Sequence, residues 1–349
     1  MAIVEATPEA VETAGAALRS GKLVAFPTET VYGLGADADR ADAVASIFRV
    51  KGRPADHPLI LHVRERAALE HWARAIPQAA HALAARFWPG PLTLVLARSA
   101  RASDVVTGGQ DTVGVRCPSH PWAQALLQAF GVARGDAHVA LAAPSANRYG
   151  RISPTSAAHV RADFGASPAS GIGCILDGGA STLGIESTIV DFAAGHVRVL
   201  RPGSIRREQL EEVVRAPVLL AGEADASAPR ASGRVAGHYA PRKPLELVDP
   251  NEIAARLKEI GGAPVGVLAF AEPDLERHLR NAKHVRFVAA APVPEAYARD
   301  LYAILRRLDA SDAQCLLVAT PPSGNAWEAI HDRLRRAAAG SAGAMDDAD

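Results

Sequence analysis

Short apolar runs alternate with amphipathic stretches along most of the chain, and Pro, Gly and polar turns separate them. A helix is predicted between residues 7 and 21. Thr7 can cap its start, Pro8 suits its first turn, and Gly21 can end it. Apolar runs predict strands at 22–26, 59–63, 92–96, 113–116, 139–143, 174–176, 188–192 and 197–200. Amphipathic stretches predict helices at 42–50, 78–88, 122–130, 156–164 and 205–214. Strands mixed with helices favour an α/β domain with a twisted, mixed sheet.

A change of composition follows this region. Residues 221–234, AGEADASAPRASGR, have no hydrophobic periodicity and are typical of a linker. Alternation then resumes, with strands predicted at 245–248, 264–270, 284–288 and 314–319, and helices at 251–260, 294–308 and 326–338. It favours a smaller, mostly parallel, Rossmann-like domain. The predicted division is a first domain at 1–210, a linker at 211–243, a second domain at 244–340 and a disordered tail at 341–349.

Composition and charge narrow the class of protein. The 349 residues carry 38 basic and 38 acidic side chains, so a general nucleic-acid coat is not indicated. The three cysteines are scattered without a CxxC pair, which argues against a zinc knuckle or a disulfide framework. The first residues lack a basic leader, and no apolar run reaches the roughly 20 residues that span a bilayer. The sequence therefore predicts a soluble cytoplasmic protein with no membrane contact.

Familiar phosphate and hydrolase motifs are missing: there is no GxxxxGK[ST] loop, no GxGxxG after a strand, no HExxH and no GxSxG. Lys51-Gly52-Arg53 places two cations on one tight turn, a possible polyphosphate clamp because glycine lets the backbone approach closely. A solvated helix C-terminus is the alternative, and it is favoured when this turn is considered alone.

Two further segments carry candidate binding groups after apolar strands. Arg116 ends one strand, where its guanidinium at the rim of the sheet would suit a carboxylate, with a structural ion pair equally expected. Ser145 and Asn147, in Pro144-Ser145-Ala146-Asn147, offer donors for phosphate or ribose oxygens. The same residues would also suit an Asx-type turn or a helix cap.

The order of five segments is more specific than any one of them. PTETVYGLG at 27–35, KGRP at 51–54, PSAN at 144–147, ESTIVD at 186–191 and RPG at 201–203 resemble the YrdC/Sua5 family of threonylcarbamoyl-AMP synthases. His238-Tyr239-Ala240-Pro241, followed by a small α/β domain, resembles the longer Sua5 form. The resemblance implies a YrdC-like twisted mixed-sheet catalytic domain and a smaller Rossmann-like Sua5 C-terminal domain.

The resemblance also implies roles for individual residues. It makes Lys51 and Arg53 the catalytic pair that holds the nucleotide phosphates. The ATP-binding set that it implies is Lys51, Arg53, His57, Thr112, Ser145, Asn147, Ser153, Arg201 and Tyr239. The threonine-binding set is Thr30, His62, Arg116, Ala143 and Ser187, with Arg116 on the carboxylate. Tyr239 would close on ATP as part of a linker lid.

The implied reaction uses L-threonine, bicarbonate or carbon dioxide, and ATP. Threonine's amine forms a carbamate, which attacks the α-phosphorus and releases pyrophosphate, so no side-chain nucleophile is needed. Mg²⁺ is expected to arrive with ATP, since no carboxylate cluster predicts a metal site. Glu29 and Glu186 lie nearby, with structural roles at least as expected. The product would pass to enzymes that transfer threonylcarbamoyl to transfer RNA; direct contact with RNA is left open.

Two departures from the family pattern and two rival functions remain. His57 stands where the family often has Asn, and 232–237 differs from its PGMKYR-like stretch.

A carbamoyl-transfer module of hydrogenase maturation proteins shares the YrdC-like domain, but the missing CxxC pairs argue against it. An RNA-binding module without catalysis is disfavoured by the neutral charge.

Overall fold

The computed structural model describes residues 2–165, 171–192, 195–220, 228–233 and 237–346. The chain divides into two compact units. Unit 1 comprises Met1–Tyr149 and Ser153–Arg234, and unit 2 comprises Gly150–Ile152 and Val235–Asp349. A short piece of the N-terminal half of the sequence therefore belongs to the second unit.

Unit 1 contains helices and strands in mixed order. Its strands are β1 (Ala2–Glu5), β2 (Leu23–Phe26), β3 (Gly33–Asp37), β4 (Ile60–Val63), β5 (Leu92–Ala97), β6 (Thr112–Arg116), β7 (Ala140–Ala142), β8 (Ile172–Asp177), β9 (Thr188–Asp191), β10 (Val197–Arg201) and β11 (Val218–Leu220). Its helices are α1 (Pro8–Arg19), α2 (Ala41–Lys51), α3 (Leu69–Trp72), α4 (Gln78–Phe87), α5 (Asp104–Thr107), α6 (Pro121–Arg134), α7 (Ala157–Phe164) and α8 (Arg207–Val214).

The first helix forms as its sequence signals predict. Thr7 caps α1 by accepting a hydrogen bond from the Ala10 amide at 3.2 Å, and Pro8 occupies the first turn, where no amide donor is needed. Val11, Ala14 and Leu18 recur at helical spacing and are buried, so one face of α1 packs into the core.

The strands of unit 1 form one sheet, whose order among the described residues is β1–β8–β2–β3–β7–β4–β6–β5–β9–β10–β11. β4 pairs in parallel with β6 and antiparallel with β7, so the predicted mixed sheet is confirmed. One apolar cluster includes Leu61, Trp72 and Leu94, and another packs α1 and α6 against the sheet through residues such as Phe130. The sheet is thus fixed from several sides, which holds its loops in place.

Unit 2 is a smaller α/β unit with a parallel sheet. Its strands are β12 (Leu245–Val248), β13 (Val265–Phe270), β14 (Val285–Ala290) and β15 (Cys315–Ala319), in the order β12–β15–β13–β14. Its helices are α9 (Ile253–Ile260), α10 (Pro273–Asn281), α11 (Pro294–Asp309) and α12 (Glu328–Asp346). The predicted parallel α/β arrangement is confirmed. None of the helices in the described ranges is both long and apolar enough to cross a membrane.

Several elements differ from the sequence prediction. α8 ends at Val214 and β11 pairs with β10, so unit 1 continues beyond residue 210, where the linker was expected to begin. Of the predicted linker, 221–227 and 234–236 lie outside the described residues. α12 runs to Asp346, into the segment expected to be a disordered tail. The helix α10 was not predicted, because PDLERHLRN has few apolar positions to reveal its period.

Candidate functional site

The loop before β3 is held by a threonine turn. Thr28 Oγ1 donates to the Val31 carbonyl at 2.6 Å and accepts from the Thr30 and Val31 amides at 3.2 and 3.3 Å. Short hydroxyl side chains stabilise such turns by bonding to their own backbone. The turn fixes Glu29 and Thr30, and both side chains are buried.

Arg116 lies on a face of the sheet beside this turn. It is the last residue of β6, as predicted, and its register partners are His62 in β4 and Thr93 in β5. Partners directly opposite each other project to the same face, so these three side chains share one face. Arg116 is only 4% exposed, so it lies within the unit and not at a solvated rim.

The guanidinium of Arg116 is only partly used by its neighbours. Nη1 donates to Thr30 Oγ1 at 2.8 Å, and Nη2 lies 2.7 Å from Glu29 Oε1. Nε and Nη2 are buried and have no hydrogen-bond partner among the described residues. The expected structural ion pair is therefore present, and Nε together with the second proton of Nη2 is left to bind a further carboxylate.

Ser187 joins this region to Arg201. Ser187 Oγ lies 2.8 Å from Thr93 Oγ1. The Ser187 carbonyl accepts from Nε and Nη2 of Arg201 at 3.2 and 2.9 Å, and Arg201 Nη1 donates to the Ser232 carbonyl at 2.9 Å. Contacts therefore run from the predicted threonine side, through Thr93 and Ser187, to the predicted nucleotide side.

Arg53 meets the same segment from another direction. Its Nη2 donates to the Pro58 carbonyl at 2.9 Å and contacts Ser232 Oγ at 3.4 Å. The guanidinium lies over the Tyr149 ring, 5.9 Å from its centroid. His57 Nδ1 is 3.2 Å from the Tyr149 hydroxyl, and burial, followed by the charge of Arg53, lowers the pKa of His57 below its ordinary value. A neutral His57 next to Arg53 avoids repulsion between two cations.

Lys51 holds the segment that contains Ser145 and Asn147. Its Nζ donates to the Ser145 carbonyl at 2.6 Å and to the Asn147 carbonyl at 2.5 Å. Burial, reinforced by Arg53, lowers the pKa of Lys51 well below its usual range. Lys51 is the last residue of α2 and Arg53 follows its cap, but both side chains are buried, so the solvated alternative is wrong.

Gly52 is needed for its backbone conformation. It caps α2 with φ of 66°, in the left-handed region that side chains rarely adopt. A Cβ added there would meet no protein atom within 4 Å, so packing within the protein does not require this glycine, and the close approach to a phosphate expected from the sequence stays a prediction. The left-handed cap instead reverses the chain between the two cations.

The segment 143–147 is tied to the strands beside it. The Ala143 amide donates to the Ile60 carbonyl at 2.9 Å, and the Ala146 amide donates to the Tyr32 carbonyl at 2.8 Å. Asn147 Nδ2 donates to the Arg148 carbonyl at 2.7 Å. These contacts fix the backbone that carries Ser145 and the side-chain amide of Asn147.

Three further predicted nucleotide residues make contacts of their own. Ser153 donates to Glu186 Oε1 at 2.5 Å and is buried. Thr112 begins β6 and lines a small cavity together with Arg230, Ala231 and Ser232. Tyr239 lies in unit 2, where its ring stacks on Tyr302 and lies under the Arg333 guanidinium, and its φ is 63°. A role for Tyr239 in closing over ATP stays a prediction.

His62 is held in its neutral form. It is buried, and burial followed by the charge of Arg116 lowers its pKa from 6.5 to about 3. Its Nδ1 is 3.3 Å from the Ile60 carbonyl, and its ring meets Phe26 edge-on at 6.0 Å. A neutral imidazole leaves Arg116 as the cation on this part of the sheet face.

The lowered pKa of His62 predicts that the free energy of unfolding decreases in acid. Below pH 6.5 the unfolded chain binds a proton at His62 that the folded site excludes, so stability falls as the pH drops toward 3. Between pH 7 and pH 5 the wild type is expected to lose about 2 kcal/mol more than His62→Gln. Denaturant unfolding at both pH values measures the difference. The exposed His81, changed to Gln, is the control; equal losses for wild type and His62→Gln would contradict the assignment.

No group of three or more His, Cys, Asp or Glu side chains that could hold a metal occurs in the described part of the chain. The acids near the site are each engaged separately: Glu29 contacts Arg116, and Glu186 accepts from Ser153. The expectation that Mg²⁺ accompanies ATP is not tested by this arrangement and stays a prediction.

Sequence reasoning missed some of the residues that shape the site. Thr93 is a single hydroxyl in the apolar strand LTLVLA, and it proves to contact Ser187. Its position opposite Arg116 depends on the pairing of β5 with β6, which no local pattern reveals. Ser232 was placed in a linker, yet it contacts Arg53 and Arg201 within unit 1.

Two family models cover most of the chain. A model described as "Telomere recombination" (Sua5_yciO_yrdC) matches residues 16–203. A second, described as "Threonylcarbamoyl-AMP synthase, C-terminal domain", matches residues 205–339. The first covers most of unit 1 together with Gly150–Ile152 of unit 2, and the second begins within unit 1 and ends inside α12.

Named relatives align over nearly the full length. Threonylcarbamoyl-AMP synthase of Pyrococcus abyssi is 39% identical over 340 residues, which are 94% of this chain and 93% of the relative. That of Bacillus subtilis is 39% identical over 336 residues, with 95% and 93% covered. The crystal structure of P. abyssi Sua5 complexed with L-threonine superposes with a TM-score of 0.82 at 37% identity and covers 97% of each chain. The chain therefore belongs to the Sua5 family of threonylcarbamoyl-AMP synthases.

Proposed function

We propose that this chain condenses L-threonine, bicarbonate or carbon dioxide, and ATP into threonylcarbamoyl-adenylate and pyrophosphate. The observation that carries the proposal is the buried Nε–Nη2 edge of Arg116, which has no hydrogen-bond partner among the described residues. It lies beside a hydrogen-bonded path from Thr93 through Ser187 to Arg201. One connected region thus offers a fork for a carboxylate and cations for phosphates.

Threonine fits the part of the site around Arg116. The guanidinium edge takes its carboxylate, while Thr30, His62 and Ser187 supply neutral polar groups for its hydroxyl. Ala143 lines this side through its backbone, which is fixed by the bond to Ile60. The structure of the P. abyssi relative complexed with L-threonine supports this assignment.

The nucleotide fits the part of the site around Arg53 and Arg201. The guanidinium groups of Arg53 and Arg201 both contact Ser232. A polyphosphate bound in the place of Ser232 would therefore contact two cations that already lie close to each other. Lys51 fixes the segment that presents Ser145 and Asn147. His57, Thr112, Ser153 and Tyr239 complete the proposed nucleotide set, and Mg²⁺ would come with ATP and neutralise its phosphates.

The proposed chemistry needs positioning more than covalent catalysis. The carbamate oxygen of threonine attacks the α-phosphorus, the bond to the β-phosphate oxygen breaks, and pyrophosphate leaves. Holding two reactants in line can supply roughly 7–11 kcal/mol of the barrier. The buried cations of the site then stabilise charge that develops on the phosphate oxygens.

The proposed product is an activated donor for the threonylcarbamoyl modification of an adenosine in transfer RNA (t6A). A separate transferase would consume it. The balance of 38 acidic and 38 basic side chains agrees with a protein that works in the cytoplasm without coating RNA.

Pyrophosphate release from ATP tests this function. Release is expected to require both L-threonine and bicarbonate, and mass spectrometry should detect threonylcarbamoyl-adenylate in the same mixture. L-Valine, which replaces the hydroxyl of threonine with a methyl group, is the matched control substrate and should react far more slowly. Release that proceeds equally without threonine would indicate plain ATP hydrolysis and reject the proposal.

A further inference from the structure

We propose that Glu29 binds the α-ammonium group of the amino-acid substrate and accepts its proton, which makes it a catalytic residue of the carbamoylation step. The inference rests on the proposed function. It concerns the removal of a proton from the α-ammonium group, which the positively charged groups of the site cannot perform. An ammonium nitrogen has no lone pair, so it must lose a proton before it can attack carbon dioxide.

The carboxylate of Glu29 is buried and incompletely partnered. Glu29 is 5% exposed, and its Oε1 lies 2.7 Å from Arg116 Nη2. Neither carboxylate oxygen has a hydrogen-bond partner among the described residues, and the Arg116 contact lacks hydrogen-bond alignment. Buried carboxylates usually accept several hydrogen bonds, because desolvation is otherwise costly. The missing donor is supplied when a substrate ammonium binds.

The backbone holds Glu29 in a defined place. The Glu29 carbonyl accepts a hydrogen bond from the Leu183 amide at 2.8 Å, and the Thr28 turn fixes the residues that follow. The backbone of Glu29 is therefore held independently of the ion pair with Arg116. A base with a preset location can act on a substrate without reorganisation.

The pair of Glu29 and Arg116 is the electrostatic complement of an α-amino acid. A free amino acid carries its carboxylate and its ammonium on the same carbon atom. When the carboxylate occupies the Nε–Nη2 edge of Arg116, the ammonium nitrogen must lie within a few ångströms of that guanidinium. Glu29 Oε1 is 2.7 Å from the same guanidinium, so it meets the ammonium end.

The proposed step balances in atoms and charge. Glu29 takes one proton from the ammonium and becomes a neutral carboxylic acid. The nitrogen lone pair then forms a bond to the carbon of carbon dioxide, one carbon–oxygen π bond breaks, and its electron pair moves onto that oxygen, which becomes the anionic oxygen of the carbamate. The nitrogen gives its second proton to solvent, Glu29 releases the first proton to solvent, and the carbamate is ready to attack ATP.

The charged and titratable groups that act on Glu29 come from β6 and the segment after it. Arg116 is the neighbouring cation. The field of Glu29 helps burial to raise the pKa of Cys117, and it opposes the burial that lowers the pKa of His120. Near pH 7 the thiol and the imidazole are both neutral, so neither adds a charge beside Glu29.

Glu29→Gln tests the inference because it keeps the shape of the side chain and removes the base. Its kcat for pyrophosphate release at pH 7 is expected to fall about 100-fold or more. Its KM for threonine should change much less, since Arg116 remains. The ratio of mutant to wild-type rate should rise roughly tenfold per pH unit as free amine becomes available. The balance between bicarbonate and carbon dioxide also changes with pH, but it changes equally for both enzymes and therefore cancels in the ratio of their rates.

Two further variants separate chemistry from structure. Asp191→Asn is the matched control, because Asp191 forms a buried ion pair with Arg198 at the far end of β9 and β10. It should keep the wild-type pH profile. Glu29→Asp retains a carboxylate on a shorter side chain, and it should show an intermediate rate with the wild-type pH profile even if Glu29→Gln folds poorly.

The outcomes distinguish this inference from the function on which it rests. Wild type that releases pyrophosphate without threonine or bicarbonate would reject the function itself. Wild type that requires both, together with a Glu29→Gln variant whose kcat and pH profile are unchanged, would overturn only the role of Glu29. A raised KM with an unchanged pH profile would assign Glu29 to positioning Arg116 and would likewise overturn the proposal.

Discussion

Replacing Arg116 with Met is expected to destabilise unit 1 by about 3–5 kcal/mol and to abolish threonine-dependent pyrophosphate release. The loss of stability arises because Glu29 is buried and its only ion-pair partner among the described residues is Arg116. A carboxylate left without its cation pays its full desolvation cost. The loss of activity has a separate cause, since methionine cannot bind a carboxylate.

The double variant Arg116→Met/Glu29→Gln separates the two effects. Removing both charges should recover most of the lost stability, because no uncompensated ion then remains. It should recover no activity, because the carboxylate fork is still missing. Denaturant unfolding and the pyrophosphate assay measure the two quantities on the same samples. A double variant that regains threonine-dependent turnover would refute the assignment of Arg116 to the substrate.

Replacing Lys51 with Met is expected to reduce pyrophosphate release at least about 100-fold. Lys51 Nζ donates to the carbonyls of Ser145 and Asn147, and it is buried. Without it, each carbonyl loses its hydrogen-bond donor, which costs about 1–3 kcal/mol per buried group. The segment that carries Ser145 and Asn147 would then shift away from the nucleotide.

The exposed Lys22, changed to Met, is the control for loss of a cation. It should leave both the rate and the affinity for ATP near wild type. Equilibrium binding of ATP and circular dichroism should accompany the assay, because the expected defect is local. A Lys51→Met variant with more than a third of the wild-type rate would show that the bonds to Ser145 and Asn147 do not support the reaction.

The sequence predicted which segments carry the site better than it predicted how they meet. Lys51, Arg53, Arg116 and Arg201 all occur next to apolar elements, which is a local signal. The contact of Ser187 with Thr93 depends on the parallel pairing of β5 with β9, two strands far apart in the chain. Such pairings follow from packing of the entire sheet and leave no trace in a short window of sequence.

β3 is a strand that the sequence pattern did not predict. Residues 27–35 appeared turn-rich because glycines occupy positions 33 and 35, yet Gly33–Asp37 forms a strand. A Cβ at Gly35 would come within 2.9 Å of the Phe26 ring, which pairs edge-on with His62. These glycines thus leave room for an aromatic side chain in the neighbouring strand, a tertiary requirement that resembles a loop signal in the sequence.

The hydroxyl of Ser187 connects the two parts of the proposed site. Arg201 Nη2 donates to Ser187 Oγ at 3.2 Å, and the hydrogen bond between Ser187 Oγ and Thr93 Oγ1 can run in either direction, because each hydroxyl can donate and accept. A phosphate that draws Arg201 away would remove one donor from Ser187 Oγ. The strength of the hydrogen bond to Thr93, the register partner of Arg116, would then depend on what Arg201 binds, without movement of the backbone.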